Sequence, residues 1–186
     1  KQHFKKSDFI LGDSVKLFEN NFSKFTKSKF SVGCANGTDA LYLALKALDI
    51  PKKSEVIVPA MTWISTVLSI INNNLKPVLV DVNKYDALIS FNEIKKKITN
   101  KTKVIMPVNL YGGVVDIEKI KHLIGKKKIY IIEDSAQAHG GKDKFGNNIG
   151  KFSDFSCYSF YPGKNLGCYG DGGMVTTNNR KHYEKL

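Results

Sequence analysis

The chain alternates short runs of β-branched and aromatic residues with segments that carry an apolar residue every three or four positions. The first kind of segment is typical of a strand, and the second is typical of an amphipathic helix. Several predicted strands are apolar at consecutive positions, which indicates a sheet that is covered on both faces. The sequence therefore predicts an α/β domain with a mostly parallel sheet and helices on both faces.

The same patterns give approximate bounds for each element. The predicted strands are Phe30–Cys34, Glu55–Pro59, Pro77–Asp81, Lys103–Pro107, Ile129–Glu133, Phe155–Phe160 and Met174–Thr177. The predicted helices are Thr38–Leu48, Thr62–Asn73, Asn92–Ile98 and Ile117–Ile124. No repeat or low-complexity linker interrupts this alternation, so we expect residues 1–186 to form one domain.

Composition argues against several classes of protein. No segment approaches the ~20 uncharged apolar residues that a membrane-spanning helix needs, so we expect no membrane protein. Cys34, Cys157 and Cys168 form no CxxC pair and are odd in number, which disfavours a disulfide framework and favours a cytoplasmic protein. The histidines are too far apart in the chain to predict a metal site; they are His3, His122, His139 and His182.

The positive charge of the chain comes almost entirely from lysine. The net charge is +12, and Arg180 is the only arginine, so lysine supplies 28 of the 29 basic residues. Proteins that read nucleic acid usually use the arginine fork for bidentate contacts. The lysine runs at 95–97 and 126–128 therefore favour a solvated face over a nucleic-acid surface, and attraction for anionic small molecules stays open.

Polar residues gather where predicted strands end, which is the edge at which α/β sheets bind ligands. The turn at Gly37, Thr38 and Asp39 opens a helix whose free N–H groups could bind phosphate, although Thr38 or Asp39 could simply cap that helix. This turn matches neither GxGxxG nor a P-loop, which disfavours a dinucleotide or NTPase site. Trp63 follows the next strand, where it could cover a planar ligand or fill an interface.

Two later strand ends carry reactive groups. Asp134 is followed by Gln137 and His139, and a carboxylate there could keep a heterocyclic nitrogen protonated or merely cap a helix. Lys164 lies in an aromatic, glycine-bounded turn without an acidic neighbour in sequence. Burial would make it a nucleophile able to form a Schiff base, while the alternative is a surface lysine in a loop. Ser159, five residues earlier, could bind a phosphate.

Together these residue types are the parts of a pyridoxal 5'-phosphate (PLP) site. The segments that contain them closely resemble the DegT/DnrJ/EryC1/StrS family of sugar-nucleotide aminotransferases, which have the aspartate-aminotransferase-like PLP fold (fold type I). The resembling segments are Gly37–Leu41, Pro59–Trp63, Glu133–His139 and Ser159–Gly167. The resemblance extends from Phe9 to Thr177, and Gly12 and Glu19 are similar to the family's opening helix.

The resemblance implies a role for each candidate residue. It implies that Lys164 carries PLP covalently, that Asp134 pairs with the ring nitrogen and that Gln137 bonds the ring oxygen. It also implies that Trp63 stacks on the ring. The residues implied to hold the phosphate are Thr38, Asp39 and Ser159, and Gly37 is implied to belong to the same cofactor site.

The implied reaction moves an amino group, from glutamate in most of the family, to a keto group of a nucleotide-linked deoxysugar in polysaccharide or glycan biosynthesis. The sequences of Tyr161–Gly167 and Gly170–Gly173 are more similar to those of members that act on 3-keto sugars than to those of members that act on 4-keto sugars. Some relatives replace the lysine with histidine and become dehydratases, so Lys164 favours aminotransfer. Open alternatives are a 4-keto-sugar aminotransferase, a related PLP sugar enzyme, and a non-catalytic domain that binds a nucleotide or phosphate ligand.

The resemblance also bears on size and assembly. Family members are longer than this chain, so we expect residues 1–186 to be the PLP-binding large domain and the small C-terminal domain to be missing. The family implies a homodimer in which a loop of one subunit reaches the active site of the other. That loop would belong to the missing part.

Overall fold

The computed structural model of the protein describes residues 11–186, so Phe9, where the resemblance begins, lies outside the described residues. The strands are β1 (Phe30–Cys34), β2 (Glu55–Pro59), β3 (Lys76–Val80), β4 (Thr102–Ile105), β5 (Tyr130–Asp134), β6 (Phe155–Ser159) and β7 (Gly173–Thr177). The α-helices are α1 (Asp13–Thr26), α2 (Gly37–Ala47), α3 (Ile64–Asn72), α4 (Phe91–Lys97), α5 (Ile117–Ile124) and α6 (Arg180–Tyr183). Every predicted strand and helix is confirmed, with small shifts at the ends.

The seven strands form one sheet in the order β1-β7-β6-β5-β4-β2-β3. The pairs among β2, β3, β4, β5 and β6 are parallel, whereas β7 pairs antiparallel with both β1 and β6. Since β7 is antiparallel to both of its neighbours, β1 runs in the same direction as the other five strands. The prediction of a mostly parallel sheet is confirmed, and the carboxyl ends of six strands lie along one edge.

Helices cover both faces of the sheet, which explains why the strands are apolar at consecutive positions. Val56 and Val58 of β2 pack in a cluster with residues of α2 and α3, while Ile57 between them packs with residues of α4 and α5 on the other face. Each such side chain is fully buried and stabilises the fold by about 1.5–3 kcal/mol. The predicted α/β architecture with two covered faces is therefore confirmed.

Helix α1 is attached to the sheet by polar and aromatic contacts, among them a hydrogen bond of 2.6 Å between the hydroxyls of Ser23 and Ser31. The carboxylate of Glu19 accepts a hydrogen bond of 2.8 Å from the N–H of Gly33 in β1. Phe22 packs edge-on against Tyr158 and Phe160, with ring centroids 5.0 and 5.3 Å away. The opening helix that the resemblance implied is present, with Gly12 at its N-cap.

Residues 11–186 include no helix with the length and hydrophobicity that a membrane crossing requires. Within the same range, no cluster of three His, Cys, Asp or Glu side chains is placed to hold a metal ion. Cys34, Cys157 and Cys168 are free thiols. Burial raises the pKa of the Cys34 thiol to about 12, so this thiol stays protonated at neutral pH.

Candidate active site

A cavity of about 650 Å³ opens at the carboxyl edge of the sheet. Its walls come from the segments that follow β1, β2, β4, β5 and β6, so five strand ends contribute to one site. Seven of the eight residues predicted to bind a cofactor line it: Gly37, Thr38, Trp63, Asp134, Gln137, Ser159 and Lys164. Asp39 is the predicted residue that lies outside the lining.

Asp134 ends β5 and is buried against the cavity floor. One carboxylate oxygen accepts a 2.8 Å hydrogen bond from the hydroxyl of Thr66, and the other accepts one of 3.2 Å from the N–H of Ala136. Burial raises the pKa of Asp134, while these two donors and the charge of Lys164 act in the opposite direction. No described cation forms an ion pair with Asp134, so a positive charge on a ligand would stabilise the carboxylate.

Gln137 is oriented by a bond from a distant loop. Its amide oxygen accepts a 2.8 Å hydrogen bond from the N–H of Tyr111, which leaves the amide NH₂ free to donate into the cavity. The loop with Tyr111 is itself fixed at Asn109, whose NH₂ group donates to Glu133 at 3.1 Å and to Ser135 at 2.9 Å. A ligand oxygen above Gln137 would therefore meet a preorganised donor.

The first turn of α2 faces the cavity at another wall. The side chain of Asn36 caps this helix by accepting a 2.9 Å bond from the N–H of Asp39, so that N–H is not available to a ligand. The hydroxyl of Thr38 donates to Ser65 at 2.8 Å, which leaves the Ser65 hydroxyl hydrogen free to donate elsewhere. Because a helix N-terminus carries a partial positive charge, this wall suits an anion.

Gly37 allows α2 to approach the end of β6 closely. A Cβ atom at Gly37 would lie 2.6 Å from the Cβ of Ser159, a distance that two carbons cannot adopt. Ser159 is buried, and its hydroxyl accepts a 3.3 Å bond from the N–H of Tyr161. The absence of a side chain at Gly37 thus brings two groups predicted to bind phosphate, the α2 N-terminus and Ser159, into contact.

Lys164 lies in the loop after β6 and is half-buried. Its N–H donates to the carbonyl of Tyr161 at 2.8 Å. Its ammonium forms no ion pair with any described carboxylate, and its charge lowers the pKa of both Asp134 and His139. An amine and a buried carboxylate therefore lie in one cavity within electrostatic range of each other.

Trp63 occupies the mouth of the cavity, where 73% of its surface is exposed. Its backbone is extended, with φ −71° and ψ 142°, because it is the N-cap residue of α3 rather than part of that helix. A large, exposed indole is unusual on a surface without a partner. Its predicted stacking on a ligand ring stays a prediction.

The sequence profile of the DegT/DnrJ/EryC1/StrS aminotransferase family matches residues 1–186. The chain belongs to this family. A dTDP-3-amino-3,6-dideoxy-α-D-galactopyranose transaminase of Aneurinibacillus thermoaerophilus is 46% identical, over 96% of this chain and 49% of that protein. A pleiotropic regulatory protein of Geobacillus stearothermophilus is 41% identical, over 97% of this chain and 48% of that protein.

A solved structure agrees at the level of the fold. The Bacillus subtilis protein crystallised with bound cofactor PMP has a TM-score of 0.93 and 31% identity, covering 99% of this chain and 41% of that chain. The chain spans about half the length of the curated relatives that it matches. The resemblance to the DegT/DnrJ/EryC1/StrS family is therefore confirmed, as is the fold that it implied.

This family member has further site residues to which the sequence assigned no role. Thr66 binds Asp134, and additional polar or aromatic residues line the cavity: Asn36, Thr62, Ser65, Asn109, Tyr161 and Asp171. Asn36 had a usable signal, because asparagine directly before a helical turn is a preferred N-cap. Thr62, Asn109 and Tyr161 lie just after predicted strands, at the edge where ligands were expected. Ser65, Thr66 and Asp171 contribute to the site through tertiary packing, which their local sequence does not reveal.

Proposed function

We propose that residues 1–186 form the PLP-binding large domain of an aminotransferase. The enzyme would move an amino group from glutamate to a keto group, at C3, of a nucleotide-linked deoxysugar in polysaccharide or glycan biosynthesis. The observation that carries this proposal is that Lys164, Asp134 and the N-terminus of α2 line one cavity. An amine, a buried carboxylate without a cation and an anion-binding helix end are the three groups that PLP chemistry needs.

The donor set of the cavity fits PLP. The α2 N-terminus with the hydroxyl of Ser159 suits the phosphate, and the hydroxyl of Thr38 would join them by turning its hydrogen from Ser65 to the anion. Asp134 suits a protonated ring nitrogen. The free NH₂ of Gln137 suits the ring oxygen. We assign no ligand contact to the side chain of Asp39, whose predicted role stays a prediction.

The residues of the chain would divide the chemistry among them. Bound PLP supplies a carbonyl that condenses with amines and a ring that accepts electrons. Asp134 keeps a proton on the ring nitrogen by stabilising its positive charge, which strengthens that electron acceptance. Nζ of Lys164 would hold the cofactor covalently, and the free amine would accept the α-proton of the amino donor as a general base. Trp63 covers the ring and excludes water.

The position of the keto group is supported by the relatives. The 46% identical protein is named for a 3-amino sugar nucleotide. This agrees with the sequences of Tyr161–Gly167 and Gly170–Gly173, which resemble those of members that act on 3-keto sugars. A matched pair of 3-keto and 4-keto sugar nucleotides, offered with ¹⁵N-glutamate, tests this choice by the mass of the product. Labelled amino sugar from the 3-keto compound alone supports the proposal, and product from the 4-keto compound alone contradicts it.

We also propose that the enzyme is a homodimer. Helix α3 presents Ile64, Leu68 and Ile71 on one face, with exposures of 57, 40 and 50%. This face continues from Trp63 at the cavity mouth, so a second subunit that covered it would also border the site. Soluble proteins rarely leave a continuous apolar helix face in water. A cytoplasmic location, expected from the cysteine pattern, stays a prediction.

A second candidate function is ligand binding without catalysis. The name of the Geobacillus relative, a pleiotropic regulatory protein, favours it. A module that only binds its ligand has no need of an amine beside a buried carboxylate, and Lys164 and Asp134 supply both. The variant Lys164→Ala separates the two functions, because a binding module would keep its biological activity and an aminotransferase would lose it.

A further inference from the structure

His139 joins three segments of the candidate site, although the reaction described above assigns it no role. It follows Gln137 by two residues in the loop after β5. Its Nε2 atom lies 2.9 Å from the carbonyl oxygen of Ser159, at the end of β6. Its Nδ1 atom lies 2.7 Å from the side-chain amide of Asn165, the residue directly after Lys164.

Aromatic packing holds the imidazole ring in place between these two partners. The ring centroids of Tyr158 and Phe160 lie 5.5 and 5.4 Å from that of His139, and Phe22 of α1 lies 6.5 Å away, nearly edge-on. The ring therefore has little freedom to turn away from either hydrogen bond. Both nitrogens are committed to fixed groups of the protein.

The chemistry of the partners fixes the tautomer. The carbonyl of Ser159 can only accept, so Nε2 carries the hydrogen. Burial lowers the pKa of His139, the hydrogen bonds to Asn165 and Ser159 raise it, and the nearby charge of Lys164 lowers it again. The pKa lies below its ordinary value, so the neutral ring predominates at pH 7. The structure places Oδ1 of Asn165 at Nδ1, where a neutral ring with its hydrogen on Nε2 has only a lone pair. We therefore assign the Asn165 amide the flipped orientation, with its NH₂ group toward Nδ1. The side chain of His139 thus donates to β6 and accepts from the loop of residues 163–166, which carries Lys164 and is called the lysine loop below.

The lysine loop has few other attachments. Between Gly163 and Leu166, the described hydrogen bonds are the one from the Lys164 N–H to Tyr161, which is local, and the one between Asn165 and His139. The second connects the loop to the segment that carries Asp134 and Gln137. Without the bond between Asn165 and His139, the one described hydrogen bond left to residues 163–166 is the local bond from Lys164 to Tyr161.

We propose that His139 is a positioning residue for Lys164, which holds the lysine loop through Asn165 and the end of β6 through the Ser159 carbonyl. This inference rests on the proposed function, in which the amine of Lys164 must meet the cofactor. His139 itself does not touch the reacting atoms. Its contribution is to keep the amine in one place, which raises the rate of any reaction at that amine.

Two variants of the protein at its natural length separate this role from a general effect on stability. His139→Phe keeps an aromatic ring and loses both hydrogen bonds, whereas Asn165→Ala, at an exposed position, loses one of them. We expect each to slow the appearance of the visible PLP–lysine band, after PLP is added to cofactor-free protein, by about fivefold, as the loss of a hydrogen bond of ~1 kcal/mol implies. The double variant should be no slower than His139→Phe. Matched controls at exposed sites are His122→Phe and Asn92→Ala.

A second measurement needs no cofactor. Acetic anhydride labels lysine amines, and mass spectrometry gives the rate at Lys164 relative to the other lysines in the cofactor-free protein. We expect both variants to speed labelling of Lys164 several-fold, because the half-buried amine becomes more accessible when its loop is released. Labelling and band formation at wild-type rates, even with a lower melting temperature, would overturn the positioning role. A wild-type protein without a visible band, but with altered labelling in the variants, would contradict the proposed function and support the role of His139.

Discussion

Two neighbouring carboxylates, Glu133 and Asp134, are both buried but have different surroundings. Glu133 accepts hydrogen bonds from the N–H of Gly150 and from three side chains, those of Asn109, Ser153 and Ser156. Asp134 accepts from two donors and faces the cavity. Burial raises the pKa of both carboxyl groups, but four donors oppose this effect at Glu133, whereas two donors and the charge of Lys164 oppose it at Asp134. The protein therefore compensates the charge of Glu133 with more hydrogen bonds, and Asp134 faces the cavity, where a ligand can supply a partner.

Replacement of Asp134 by asparagine should stabilise the cofactor-free protein. Burial raises the pKa of Asp134, so at pH 7 the folded state holds a carboxylate that the site disfavours, and the neutral amide of Asp134→Asn removes this cost. The NH₂ group of the asparagine can face Thr66, whose hydroxyl can turn to accept from it and donate to Thr62. We expect the free energy of unfolding, from urea titration, to rise by about 1 kcal/mol. The variant should also bind PLP more weakly, because the ring nitrogen loses its partner.

The pH dependence of this difference provides a check. A raised pKa means that the cost of the carboxylate is fully present above the folded-state pKa. The cost disappears as the pH falls toward the ordinary aspartate value of about 3.9. The stability gain of Asp134→Asn should therefore shrink as the pH is lowered. A gain that grew in acid would show that the carboxylate is stabilised in the fold.

Replacement of Glu133 by glutamine should have the opposite effect on stability. The NH₂ group of the glutamine would face a donor in either orientation. In place of Oε2 it would meet the NH₂ of Asn109, and in place of Oε1 it would meet the N–H of Gly150 and the hydroxyl of Ser153. We expect Glu133→Gln to lower the free energy of unfolding by about 2 kcal/mol, measured by the same urea titration. Equal stability of Glu133→Gln and the wild type would contradict the hydrogen-bond network.

At the scale of elements, the site depends on how closely α2 packs against β6. A Cβ atom at Gly37 would meet the Cβ of Ser159 at 2.6 Å, so Gly37→Ala must push the helix N-terminus away from the strand. We expect the Kd for PLP to rise at least tenfold, measured by titration of the visible band. The matched control is Gly33→Ala in β1, where an added Cβ meets its nearest atoms at ordinary distances of 3.5 and 3.6 Å. Equal weakening by both variants would show that the contact with Ser159 is not the cause.

The elements that could be predicted from sequence are those whose local pattern decides them. The apolar run Glu55–Pro59 gave β2 with its observed bounds, because both of its faces are buried. The helix predicted from Thr62 begins instead at Ile64, since Trp63 has an extended backbone and serves as the N-cap. The helix cap expected at Thr38 or Asp39 is Asn36. Such details depend on backbone conformation rather than on periodicity.

Other features of the fold and site depend on contacts between distant segments. The run 174–177 predicted a strand, but nothing in its pattern indicates that β7 is antiparallel to both of its neighbours. The short helix α6 has too few residues to show a period. In the site, the bond from Tyr111 to Gln137 joins residues 26 apart in the chain, and no local signal precedes it. The sequence could predict which residues lie at the carboxyl ends of the strands, whereas it could not predict the hydrogen bonds between them.

At the scale of the whole molecule, one face of α3 remains uncovered beside the cavity mouth. Ile64, Leu68 and Ile71 form this face. If a second subunit covers this face of α3, a carboxylate placed on the face must prevent assembly, because burying an unpaired carboxylate costs several kcal/mol. We expect Leu68→Glu to convert a dimer to a monomer in light scattering of the protein at its natural length. A matched exposed change, Lys52→Glu, should leave the mass unchanged, and a monomeric wild type would contradict the proposed homodimer.

The central claim, that Lys164 carries PLP and performs aminotransfer, is tested most directly by visible absorption of the natural-length protein purified with PLP. We predict a yellow band that glutamate bleaches and that Lys164→Ala lacks, because the chromophore requires the lysine amine. Lys52→Ala, at an exposed lysine that does not line the cavity, should keep the band. A wild-type protein that stays colourless, or a band that persists in Lys164→Ala, would contradict the account.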